Sequence, residues 1–183
     1  VKSNLKYRIE EAIKRLKKIR KSRILASERM YKYANRWNII IFVMSITSAM
    51  FLIISLVKVE QDTRKILSAC FSIYTLTLQY FVSTLNYRER GLKFHYHQIE
   101  MHNLILQLDS LLYKKVSNKA IKYNQIMEQY QSLLQSQENH TELDYVRAKG
   151  ADNSLVRDLG LDSIFIIVQP IVVILFLVFY YYG

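Results

Sequence analysis

The stretch WNIIIFVMSITSAMFLIISLV, residues 37–57, decides the fold. It holds no Asp, Glu, Lys or Arg. At 1.5 Å per residue, a helix of that length spans roughly 30 Å, the hydrocarbon thickness of a bilayer. Two further runs share the property: ILSACFSIYTLTLQYFVSTLNY at 66–87 and SIFIIVQPIVVILFLVFYYY at 163–182. Trp37 opens the first run, Tyr80 and Tyr87 lie towards the end of the second, and Tyr180, Tyr181 and Tyr182 close the third. Aromatic belts at headgroup depth have this placement. The pattern predicts an all-α integral membrane protein: a two-span antiparallel hairpin with long cytoplasmic helical extensions and a third C-terminal transmembrane helix. Gln169 and Pro170 leave a re-entrant or interfacial third segment as the alternative.

Around these runs the chain is dense in charge. Its 183 residues carry 26 Lys/Arg against 15 Asp/Glu, a net +11. Only four Gly and one Pro are present, which argues for long uninterrupted helices over a sheet with tight turns. The lone Cys70 cannot form an intramolecular disulfide and reads as a small buried hydrophobe. The first run is too long for a signal peptide, and charged Lys58 follows it directly, so it reads as a retained signal anchor.

Charge also sets an expected orientation. Residues 1–36 hold thirteen Lys/Arg against three Glu, and residues 58–65 hold three bases against two acids. The positive-inside rule then puts the N-terminus in the cytoplasm and the 58–65 loop outside. Residues 88–162 return to the cytoplasm, with Arg88, Arg90 and Lys93 beside the membrane, and the C-terminus ends on the outer side. The expected organisation is a single membrane unit over 1–183. It comprises a basic cytoplasmic helix at 1–36, spans at 37–57 and 66–87, an outer loop at 58–65, a cytoplasmic helical region at 88–162 and a third span at 163–182.

Within the cytoplasmic parts, Leu5, Ile9, Ala12, Ile13, Leu16 and Ile19 recur at helical spacing. With no Gly or Pro before the first span, one helix can run from cytoplasm into lipid. The second span is expected to continue past Gly91 along an apolar face to about Val116, with a turn at Ser117–Asn118. A further amphipathic stretch includes Tyr123, Ile126, Tyr130 and Leu133. Thr141 to Asp144 has capping-box character, and residues 148–162 form the loosest link.

The spans carry the most informative chemistry. Ser68, Ser72, Thr75, Gln79, Ser83 and Asn86 step by three or four and share one face of the second. Asn38, Ser45, Ser48 and Ser55 do much the same in the first. Two readings stay open. Such stripes can line a water-filled path in an oligomer, or they can pack helices, since small residues allow close approach and hydroxyls bond across.

Lys14, Arg15, Lys17, Lys18, Arg20, Lys21 and Arg23 form a basic run ahead of the first span. Contact with anionic lipid or an acidic partner outweighs nucleic-acid binding there. His95 and His102 stand about 10 Å apart along a helix, too far to share a metal. Capping accounts for His140, Glu142 and Asp144. There is no phosphate loop, nucleophile elbow, cysteine pair or carboxylate inside a span. No catalytic residue, metal ligand or cofactor site is therefore assigned, and the chain is not read as an enzyme.

The stretch Arg20-Lys21-Ser22-Arg23-Ile24-Leu25-Ala26-Ser27-Glu28-Arg29-Met30, the two-span hairpin and Asn86-Tyr87-Arg88-Glu89-Arg90 together resemble the SLATT family. These are bacterial effectors with two transmembrane helices that associate with nucleotide-signal synthases and SLOG sensors. Ser136-Gln137-Glu138-Asn139-His140-Thr141-Glu142-Leu143-Asp144-Tyr145 and the third apolar run resemble one branch of it. The resemblance implies an antiphage effector of the bacterial inner membrane that forms a homo-oligomeric pore when infection is sensed. It also implies a cytoplasmic partner: a nucleotide-signal synthase, a SLOG protein or a reverse transcriptase. Two other classes compete: a membrane anchor whose cytoplasmic helices recruit a defence enzyme, and a holin-like lysis protein.

Overall fold

The computed structural model describes residues 2–57, 62–114, 118–135 and 161–182. Among the described residues there are helices and no strand. They are α1 (Lys2–Val57), α2 (Asp62–Thr84), α3 (Tyr87–Tyr113), α4 (Lys119–Gln135) and α5 (Leu161–Tyr182). Three helical stretches, one in α1, one running over α2 and α3, and one in α5, are long and apolar enough to cross a membrane. The chain is an all-α membrane protein. It divides into two compact units, Val1–Met30 with Arg88–Leu155, and Tyr31–Tyr87 with Val156–Gly183.

The first unit packs the start of α1 against α3 and α4. Ile9, Ala12, Ile13 and Leu16 meet Met101, Leu104, Ile105, Leu108 and Leu111, with Tyr123, Ile126 and Tyr130 closing the third side. The spacing of three and four in all three helices builds this core. Cations rim it. The guanidinium of Arg8 lies 5.2 Å from the Tyr123 ring centroid and that of Arg15 lies 5.8 Å from the Tyr130 ring, one heptad on in both helices. Their stems cover apolar surface while the charge stays at its edge. Further along, Ala26 and Ser27 let α1 come close to Gly91, and the Ser27 hydroxyl donates to the Gly91 carbonyl at 2.9 Å.

Gly91 is thus a point of close approach inside α3, not the helix breaker that its residue type suggests. The break falls earlier. Asn86 takes a left-handed backbone with φ of 47° between α2 and α3. Asparagine tolerates this better than other residues with a side chain, and it caps helix C-termini there. Asn118 does the same at φ 60° before α4, and its carbonyl accepts from the Lys122 amide. The Ser117 half of that expected turn, the capping residues 141–144 and most of the 148–162 link lie outside the described residues.

In the second unit α1 and α2 run antiparallel. Tyr33 stacks near Tyr87 at one end, and Phe51 meets Phe71 edge-on at 5.6 Å towards the other. Helix α5 lies parallel to α1: Tyr33 pairs with Ser163, and Phe51 with Tyr180. Pro170 sits inside α5 without ending it, leaving the Ile166 carbonyl without its usual amide. Two expectations change here. Trp37 is buried within the fold rather than turned outward as a belt residue would be, and among the described residues its indole N–H has no acceptor. Cys70 is exposed on α2, on the face a bilayer would cover, because the buried side of α2 is taken by Ser68, Phe71 and Thr75.

Leu108, fully buried on α3, gives a direct test of the first unit. Leu108→Ala should cost about 2–5 kcal/mol and lower the thermal midpoint in detergent. Asn124→Ala, on the exposed side of α4, should leave that midpoint nearly unchanged.

Candidate functional site

The polar stripe of α2 runs along one edge of the hairpin seam. Ser68 and Thr75 are buried, Ser72 is half-buried, and Gln79, Ser83 and Asn86 are exposed. On α1, Ser48 and Ser55 face inward while Ser45 is exposed. The stripe therefore has an inner half and an outer half with different chemistry.

The inner half is bonded within the hairpin. The Ser48 and Ser72 hydroxyls lie 2.8 Å apart. Ser72 already donates to the Ser68 carbonyl at 2.8 Å, so Ser48 supplies the shared proton. The Ser68 hydroxyl lies 2.8 Å from the Arg64 carbonyl and 3.2 Å from the Phe51 carbonyl across the seam. Thr75 donates to the Phe71 carbonyl, and Ser55 to the Leu52 carbonyl. Every hydroxyl in this half has a partner, as an apolar medium requires.

The outer half differs at its two amides, Gln79 and Asn86, neither of which has a side-chain hydrogen bond among the described residues. Ser83 satisfies itself on the Tyr80 carbonyl at 2.6 Å. Gln79 carries an amide with two donors and an acceptor, and among the described residues nothing bonds to it. It lies about 4 Å from the middle of the expected 66–87 span, at 1.5 Å per residue.

The third span docks through a polar contact that sequence reasoning did not pair. The Tyr74 hydroxyl donates to Gln169 Oε1 at 2.7 Å. Gln169 is the one amide in its apolar run and Tyr74 a phenol half-way along the second, so each supplies the partner that the other needs in lipid. Rings complete the contact: Phe176 lies 5.4 Å from Phe51 and 4.5 Å from Phe71, and Tyr180 stacks on Phe51 at 4.5 Å. Arg64 stands over Tyr180 at 5.8 Å.

Residues 5–182 match the family model described as SMODS and SLOG-associating 2TM effector domain family 5. The chain belongs to the SLATT family. No curated protein and no solved structure matches it. Membership makes it a membrane effector domain in a family named for association with SMODS and SLOG proteins. The family is named for two transmembrane helices; this SLATT chain has three candidate spans.

The basic run of this SLATT domain is not one patch. Lys14, Arg15, Lys17, Lys18 and Lys21 are exposed, Arg20 is half-buried and Arg23 is buried. Arg20 Nη1 donates to His102 Nδ1 at 3.2 Å, and the Arg23 guanidinium lies 5.3 Å from the Phe94 ring. Lys14 pairs with Glu11 at 3.4 Å. The arginines Arg15, Arg20 and Arg23 contact the bundle, whereas Lys17, Lys18 and Lys21 are exposed with no ion pair among the described residues. Next to the spans, the Lys93 ammonium hydrogen-bonds Glu89 and holds its carboxyl below the usual range. No group of three metal-ligating side chains occurs among the described residues.

Burial pushes the Tyr130 phenol up, and the neighbouring Arg15 and Arg23 charges oppose this only in part. A raised tyrosine favours the neutral form in the fold. Its contribution is fully present below about pH 10, the unfolded value, and is lost as pH rises through the folded pKa. Tyr130→Phe should therefore flatten the alkaline fall in thermal midpoint. For the third span, Gln169→Leu should strand the Tyr74 hydroxyl and weaken docking by about 1 kcal/mol, read as a lower thermal midpoint in detergent.

Proposed function

We propose that this SLATT chain is the effector of a bacterial antiphage system, assembling in the inner membrane into a pore that depolarises the infected cell. Gln79 carries the reading. An amide without a partner near mid-membrane costs several kcal/mol in hydrocarbon. Copies of the chain, or water held between them, remove that cost. Gln79 and Ser83 continue the same line towards the end of α2, and exposed Asn86 follows beyond it, so a ring of copies presenting this edge makes a polar, uncharged inner lining. Such a lining passes ions with weak selectivity, because selective filters use carbonyl or charged rings.

The inner half of the stripe has a different part on this reading. Ser48, Ser68, Ser72 and Thr75 hold the hairpin rigid, and α5 braces it from behind. The charge bias places the N-terminus in the cytoplasm, and the first unit then faces the soluble partner. Family association points to a SMODS-type nucleotide synthase or a SLOG protein as that partner; exposed Lys17, Lys18 and Lys21 suit an acidic surface or anionic lipid.

The test is membrane potential, read with a voltage-sensitive dye in cells carrying the chain together with its genomic neighbour, under phage challenge. Wild type should depolarise. Gln79→Leu should still insert but lose about 1.4 kcal/mol or more of assembly, a tenfold weaker response. Growth arrest with an intact potential and no dye entry would contradict the pore and favour the anchor reading, in which replacing the spans with generic ones leaves arrest unchanged.

A further inference from the structure

Helix α3 carries a second apolar face that the first unit does not use. Leu92, Ile99, Leu106 and Tyr113 recur every seven residues, and all are exposed, at 39%, 41%, 53% and 86%. Tyr96, Asn103 and Ser110 alternate with them at steps of four and three, with Tyr96 exposed at 62%. At 100° per residue this stripe lies about opposite to the buried face made by Phe94, Met101, Leu104 and Leu108. It is not the margin of the core. It is a seam with a strict heptad period on a helix already packed on its other side.

We propose that this seam takes the α3 helix of a second copy, in a parallel pair outside the membrane. Three observations select that occupant. A 3,4 spacing of apolar residues is the geometry of helix pairing, and five of the seven positions are the large residues Leu92, Tyr96, Ile99, Leu106 and Tyr113. Asn103 sits at the middle of the stripe, where one polar residue pairs with its own copy and fixes register. The flanks are complementary in the parallel sense. Positions five residues apart on opposite flanks meet across a parallel pair, which sets His95 against Glu100 of a second copy and Asp109 against Lys114. Both pairings occur twice by symmetry; the same rule sets Arg88 against Lys93 beside Leu92, a like-charge contact that Glu89, bound to Lys93 in its own helix, offsets.

The orientation rests on the oligomeric reading above: copies that share one membrane are related by an axis along its normal, so equivalent helices run parallel. The seam adds to that reading a contact in water. It is weaker than an all-apolar zipper, since Asn103 and Ser110 occupy two of its seven positions. Such a contact forms readily only among copies already concentrated in a membrane.

Cysteine cross-linking of the full chain in membranes tests it, in a Cys70→Ser background that leaves no other thiol. Ile99→Cys and Leu106→Cys should each link to the same residue of a second copy with a short bis-maleimide, and Asn124→Cys on α4 should not. Adding Leu106→Lys, at an exposed position, should cut cross-linking at residue 99 at least tenfold without disturbing the fold. Yields at 99 and 106 no greater than at 124 overturn the seam. Gln79→Cys separates this failure from that of the oligomer. Linkage at 79 without linkage at 99 or 106 sinks the seam and leaves the assembly standing; linkage at none of the three sinks both.

Discussion

A polar side chain in hydrocarbon can bond only to protein, or to water that protein has admitted. That constraint orders the second unit. Ser48 finds its acceptor in the Ser72 hydroxyl at 2.8 Å, while Ser72 donates in turn to the Ser68 carbonyl of its own helix. Tyr74 and Gln169 meet at 2.7 Å under the same constraint, and their contact fixes the height at which α5 lies against α2. Aromatic rings then fill the space between the three helices: Phe51, Phe71, Phe176 and Tyr180 each lie within 5.6 Å of another member of the cluster. The rings supply most of the contact area, and the hydroxyl and amide bonds supply the register. Among the described residues the buried Trp37 indole N–H and Tyr180 hydroxyl also lack a partner inside one copy; Gln79 is the exposed amide near mid-span that lacks one, and the proposed assembly follows from that residue.

Much of this could be read from the chain before any coordinates. Three charge-free runs of about 20 residues led to three helices able to cross a membrane, and the low Gly and Pro content anticipated their continuity. The core of the first unit followed from the spacing of Ile9, Ile13, Leu16, Leu104, Leu108 and Ile126. Family membership was legible in the basic stretch 20–30 and in 86–90, and the match over residues 5–182 bears it out.

What stayed hidden was pairing. Periodicity puts six polar residues on one face of the second run; the structure keeps five of them on α2, leaves Asn86 beyond its end in a left-handed turn, and alone says where that face points. Only the packing of Phe71 and Leu78 into the seam turns Ser68 and Thr75 inward and leaves Gln79 and Ser83 outside. Residue type also misled where context decides the role. Gly91 serves close approach while Asn86 breaks the helix, because a serine carried by α1 needs room beside position 91. Trp37, read only as an aromatic at the mouth of a span, lies buried within the fold. Arg23 reads as one more cation in a basic run, yet it lies buried over Phe94.

The division of the α2 stripe into a bonded half and a water-seeking half is the central claim, and thiol accessibility tests it directly. In a Cys70→Ser background, single cysteines at 68, 72, 79 and 83 are exposed in intact cells to a small, membrane-impermeant thiol reagent after infection. The account predicts modification at 79 and 83 only, and only after the trigger, with 68 and 72 protected throughout. Labelling at 68 and 72 while 79 and 83 stay unmodified would contradict it.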